Sequence, residues 1–75
     1  MDSNGKADNA IYKPGADLEG KDLQGKDLSC YDLTGANLQG ANLEGAILNY
    51  TDLTKADLRF ANLTGASLLL SLIHI

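Results

Sequence analysis

Large rings and special-purpose residues are nearly missing from this chain. It has no Trp, one Phe, one Pro, one Cys and one His among 75 residues. Few aromatics means that the core must be built from small aliphatic side chains, which pack well only in a regular arrangement. The single cysteine, Cys30, excludes an internal disulfide framework and a cysteine-based metal site. Nothing approaches the ~18 continuous apolar residues of a membrane-spanning helix. The opening MDSNGKADNAIYKPG is polar and has no apolar signal-peptide core. A cytoplasmic location is the default expectation. A net charge of −4 is mildly acidic and argues against direct nucleic-acid binding.

What the sequence does have is an internal repeat. From Ala16 it divides into fives: ADLEG, KDLQG, KDLSC, YDLTG, ANLQG, ANLEG, AILNY, TDLTK, ADLRF, ANLTG, ASLLL. The third residue of every unit is Leu, from Leu18 to Leu68. The first is Ala in seven of the eleven units, the second is Asp or Asn in nine, and the last is Gly in six.

A five-residue period fits neither regular element. On an α-helix, five steps of ~100° rotate each Leu by ~140° from the last, so no apolar stripe forms. Each interior Gly would also cost about 1 kcal/mol relative to Ala. On a straight strand, odd spacing sends successive Leu side chains to opposite faces. The period makes sense if the chain turns a corner every five residues. Leu and the Ala two positions earlier then both point inward. Gly supplies the positive φ of a corner, and Asp or Asn bonds nearby backbone. Coils of such units stack at the ~4.8 Å spacing of paired strands.

The repeated A-(D/N)-L-X-X resembles the pentapeptide-repeat proteins. The resemblance covers Ala16 to about Leu69 and implies an all-β fold, a right-handed parallel quadrilateral β-helix with four units per coil. The fourfold count comes from the resemblance, not from the spacing. Stepping by twenty then gives one column with Leu18, Leu38 and Leu58, a second with Leu23, Leu43 and Leu63, a third with Leu28, Leu48 and Leu68, and a fourth with Leu33 and Leu53. That is just under three coils.

The expected organisation is a polar segment 1–15 that can cap one end, the repeat over 16–69, and a foreign tail over 70–75. The tail LSLIHI departs from the repeat. One codon reading of it, CTG TCT CTT ATA CAC ATC, resembles a transposon end used as a sequencing adapter. The chain is accordingly expected to be a fragment of a longer protein. Lys21, Lys26 and Tyr31 occupy the inward Ala position in the first coil and mark it as an end, where long stems lean out to water. Thr51, at the same position, requires a partner for its hydroxyl.

No constellation for catalysis stands out, so no catalytic residue, cofactor or metal is expected. The one His, His74, lies in the foreign-looking tail, and Cys30 sits at an outward corner with no His near it in the repeat. Asp17, Asp22, Asp27 and Asp32 fall on successive sides, so their carboxylates diverge. Their spacing also differs from that of the nonapeptide calcium β-roll.

The leading expectation is a non-catalytic scaffold that binds an unidentified protein partner. Its most distinctive outward residues are Ile47, Tyr50 and Phe60, with Arg59. Leu69 and Leu70 share the third column with Ile47 and Tyr50. Open coil ends give a second expectation, end-to-end association of copies. The resemblance implies an alternative, an acidic mimic of duplex DNA that binds a type II topoisomerase. Over 16–69 there are eight acidic and four basic residues. Duplex DNA of ~14 Å length would carry about eight charges, twice the net charge available here.

Overall fold

The computed structural model describes residues 11–73. The N-terminal stretch 1–10 and His74, both discussed above from sequence, lie outside the described residues.

Hydrogen bonding between coils follows a twenty-residue register. Single-residue parallel bridges join Asp17 to Asn37, Asn37 to Asp57, Asp22 to Asn42, Asn42 to Asn62, Asp27 to Ile47, Ile47 to Ser67, Asp32 to Asp52 and Asp52 to Leu72. Four five-residue units therefore make one coil. Each unit of the interior is tied to its neighbours by three backbone bonds. In the first column Leu18 N–H donates to Asn37 O at 2.7 Å, Gly20 N–H to Gln39 O at 2.9 Å, and Asn37 N–H to Ala16 O at 2.8 Å. The pairing is confined to one short stretch per unit because a turn intervenes every five residues.

Those turns explain the last position of the unit. Lys21 N–H donates back to Leu18 O at 3.1 Å, closing a four-residue turn whose third residue, Gly20, has φ of 68°. A positive φ at that place alone is the signature of a type II turn, which favours Gly. The same bond recurs along the chain, for example from Ala41 to Leu38 and from Ala56 to Leu53. Five turns carry a side chain at this strained place instead: Cys30, Tyr50, Lys55, Phe60 and Leu70, with φ between 54° and 67°.

The second position is explained by its side-chain oxygen. Asp32 accepts from Thr34 N–H at 3.0 Å, Asn37 from Gln39 N–H at 3.0 Å and Asn62 from Thr64 N–H at 3.0 Å. This satisfies an amide at the corner that the coil-to-coil bonds do not reach. Ile47 and Ser67 break the pattern in the third column. There Asn49 Oδ1, two positions from the usual place, accepts both Leu69 N–H at 3.0 Å and Ser67 Oγ–H at 2.6 Å.

The core is the stack of Leu and Ala predicted from the period. Leu33, Ala36, Leu38, Ala41, Leu43, Ala46 and Leu48 are completely buried. Leu58, Ala61, Leu63, Leu68 and Ile73, in the last coil, are only partly buried against them. Thr51 is buried in place of Ala, and its hydroxyl donates to Leu28 O at 2.8 Å. Ser71, one coil on, makes the same contact to Leu48 O.

The two ends depart from the sequence reading in opposite ways. Tyr12 falls at an outward phase of the five-residue count, yet it is buried. Its ring tilts against that of Tyr31, with centroids 5.3 Å apart. The segment from Ile11 leaves the coil phase and joins it at Gly15, whose N–H donates to Thr34 O. Tyr31 thus stays inside under another ring, whereas Lys21 and Lys26 are exposed. At the other end, coil geometry continues beyond Leu69. Leu70 has the positive φ of a turn residue, Leu72 N–H donates to Thr51 O, and Leu53 N–H donates to Leu72 O. The phase break at LSLIHI is therefore one of composition and not of backbone path through Ile73.

Candidate functional site

The four outward residues singled out from sequence do not form one patch. Tyr50 and Phe60 both stand at turns, ten residues apart. In a twenty-residue coil that is half a revolution, so they face opposite ways. Ile47 lies in the same unit as Tyr50, and Arg59 in the same unit as Phe60.

Phe60 is 87% exposed. Arg59 beside it is engaged with Asp57: its Nε donates to Oδ1 at 2.9 Å and its Nη2 to Oδ2 at 2.7 Å. This side-chain hydrogen bond, with the backbone bond from Arg59, holds the Asp57 carboxyl down at about 2. Asp57 in turn raises the guanidinium further. Both groups are exposed, so the pair shapes the surface more than it stabilises the fold. Phe60 is left as an isolated exposed ring, which is ordinary for a protein surface.

The third column is different. Tyr50 N–H donates to Leu69 O at 2.8 Å, so Leu69 and Leu70 lie directly one coil on from Asn49 and Tyr50. Ile47, Tyr50, Leu69 and Leu70 are all exposed, and Leu72 begins the adjoining side. Together they form a run of apolar surface along one corner. Cys30 precedes Tyr50 in the same turn column and is exposed. This column has no Gly at its turns. Cys30, Tyr50 and Leu70 hold φ of 67°, 63° and 54°, while the second column has Gly25, Gly45 and Gly65 at the equivalent places. A left-handed backbone costs a non-Gly residue roughly 1–2 kcal/mol, so the side chains of this corner are carried at a penalty.

Other chemistry is sparse. Among the described residues no group of three or more His, Cys, Asp and Glu is arranged to hold a metal. No helix of the described residues is long and apolar enough to cross a membrane. An open depression of about 510 Å³ is lined by Lys55, Ala56, Asp57, Leu58 and Arg59. Lys55 closes one unit and the other four belong to the next, so the lining is a single stretch of chain without the converging polar groups of a ligand pocket.

Comparison with known proteins agrees with this architecture. A family model described as pentapeptide repeats, in 8 copies, matches residues 15–49 and 32–68. The crystal structure of a pentapeptide repeat protein from the cyanobacterium Cyanothece 51142 is similar, with a TM-score of 0.78 and 35% identity over 80% of this chain. A pentapeptide repeat protein from Nostoc Pcc 7120, solved at 1.7 Å, is 37% identical over 77% of this chain, with a TM-score of 0.25. This chain spans 41% of the first structure's chain and 59% of the second's. No curated protein matches it. The twenty-residue register, the turn every fifth residue and the matched repeats together place the chain in the pentapeptide-repeat family, with a β-helix fold.

Proposed function

We propose that this chain is a non-catalytic scaffold, a right-handed four-sided β-helix that binds a protein partner through its third turn column. The observation that carries this reading is the run of Ile47, Tyr50 and Leu69 along one corner. Singly exposed apolar residues need no explanation, but a contiguous group is a feature of interaction sites. Tyr is enriched at interfaces because it combines a large apolar ring with a polar tip. The backbone beneath it is held by the coil-to-coil bonds of Cys30, Tyr50 and their neighbours. A side chain on such a rigid turn loses little freedom on binding.

Tyr50 and Phe60 provide an internal comparison, because they are exposed on opposite sides. Partner enrichment with the parent chain, Tyr50→Ser and Phe60→Ser tests the reading. Tyr50→Ser is expected to lose the partner and Phe60→Ser to keep it. Unchanged recovery with Tyr50→Ser counts against this surface. The acidic-mimic alternative rests on net charge, and Arg59 offsets Asp57 within the last coil. A gyrase supercoiling assay separates the two readings, since only the mimic inhibits it.

A further inference from the structure

The corner that carries Cys30 and Tyr50 departs from the repeat twice in succession. Its turn residues are not Gly, and the inward residues that follow them, Tyr31 and Thr51, are not Ala. The other three inward columns hold Ala, or an exposed lysine at Lys21 and Lys26, and offer no hydroxyl. Thr51 does. It is completely buried, and its hydroxyl donates to Leu28 O at 2.8 Å.

Leu28 O is also the acceptor that closes the Cys30 turn. The amide of Tyr31 reaches it at 3.4 Å, and in the Tyr50 turn the amide of Thr51 reaches Leu48 O at 3.2 Å. The other turns of the described residues close at 2.9–3.1 Å. An N–H donor at 3.4 Å lies outside the usual range, so the Cys30 turn is closed only weakly from within. A carbonyl oxygen has two lone pairs and accepts a second donor. The stronger bond to Leu28 O therefore comes from the Thr51 hydroxyl, in the next coil. Thr51 directly follows Tyr50, and the Cys30 amide donates to Asn49 O at 3.0 Å. The two turns are thus tied in both directions, by backbone one way and by the Thr51 side chain the other.

We propose that Thr51 is a positioning residue for this corner: its hydroxyl holds the Cys30 and Tyr50 turns as one rigid unit, so that Tyr50 is presented in a single arrangement. The inference rests on the binding role proposed above for the corner. Cys30 and Tyr50 hold φ of 67° and 63° without the ease with which Gly adopts that backbone. The tie supplies order that these turn residues do not supply themselves. For binding, its contribution is pre-organisation, because a side chain already ordered loses less freedom in a complex.

Site-resolved amide hydrogen exchange on the intact chain tests this, since it reads local opening residue by residue. Thr51→Val keeps the shape and removes the hydroxyl. Losing one hydrogen bond of ordinary strength makes opening about fivefold easier. The amides of Cys30, Tyr31 and Tyr50 are expected to exchange faster by that factor. Those of Gly45 and Ala46, at the equivalent places of the second turn column, are expected to keep the parent's rates. Thr51→Ser retains the hydroxyl and should stay close to the parent. Thr51→Ala, with the residue used in the other columns, should repeat the Val pattern and covers the case in which the Val chain fails to fold. In partner enrichment, Thr51→Val is expected to recover several-fold less of the protein that the parent recovers, and Thr51→Ser as much as the parent. A uniform rise across all turn columns would overturn the proposal, because the hydroxyl would then support only the fold. So would unchanged exchange at Cys30, Tyr31 and Tyr50, or full recovery with Thr51→Val where Tyr50→Ser loses the partner. Retention of the partner by Tyr50→Ser would instead overturn the binding role of the corner, with the exchange pattern deciding the tie on its own.

Discussion

Replacing Leu43 by Ala, and Leu63 by Ala one coil later, measures how much of the stability comes from stacking. The two residues share a column with Leu23 and have the same place in their units. They differ in cover. Leu43 is completely buried between coils, whereas Leu63 is partly buried in the last one. A buried Leu→Ala change costs about 2–5 kcal/mol, the larger values where the surroundings cannot collapse. Around Leu43 they are held in place. Its own N–H donates to Asn62 O at 2.8 Å, and Asn42 N–H donates to Lys21 O at 2.9 Å, fixing the walls of any cavity. About 3–4 kcal/mol is therefore expected for Leu43→Ala and about 1–2 kcal/mol for Leu63→Ala. For a chain of 75 residues a total stability of about 4–11 kcal/mol is ordinary, so the first change removes a large share of it. Urea unfolding followed by far-UV circular dichroism reads both values, with the slope checked for constancy. A loss at Leu63 equal to or larger than that at Leu43 would refute the stacking argument.

Four other expectations follow from individual residues. Thr51→Val keeps the shape and removes the hydroxyl bond to Leu28 O; it should cost about 1 kcal/mol in urea unfolding, and Thr51→Ser should cost less of the bond. Gly45 has φ of 69° and open space where a Cβ would stand, so Gly45→Ala should destabilise by about 1 kcal/mol through strain alone. Phe60→Gly should stabilise slightly, because a strained and unpacked residue is relieved. In NMR titration Asp57 should titrate at about 2, and Arg59→Gln should bring it back towards 3.8. A carboxyl depressed in the folded state favours folding above its unfolded value and loses that contribution as pH falls through its folded value. The unfolding midpoint should therefore not respond to this pair above the range bounded by 3.8 and about 2, and the group's exposure keeps the response small within it.

The Leu and Ala columns were legible because their period excludes helix and straight strand alike. The turn every fifth residue was legible for the same reason, and the structure adds that non-Gly residues hold the positive φ at Cys30, Tyr50, Lys55, Phe60 and Leu70. The number of units per coil was not legible from spacing, since five-residue turns alone do not say how many close a circuit. Tyr12 was missed because its burial depends on an open end and on Tyr31, not on the five-residue phase. The outward patch was half legible. Leu69 and Leu70 fall with Ile47 and Tyr50 once twenty-residue steps are counted. Phe60 and Arg59 do not, because half a coil separates them from Tyr50.

The twenty-residue register underlies the corner of exposed apolar residues. Through-hydrogen-bond NMR couplings test it directly. The account predicts couplings from the Asn42 amide to the Lys21 carbonyl and from the Asn62 amide to the Ala41 carbonyl. Couplings from these amides to carbonyls one unit nearer or one unit further along the chain would contradict it.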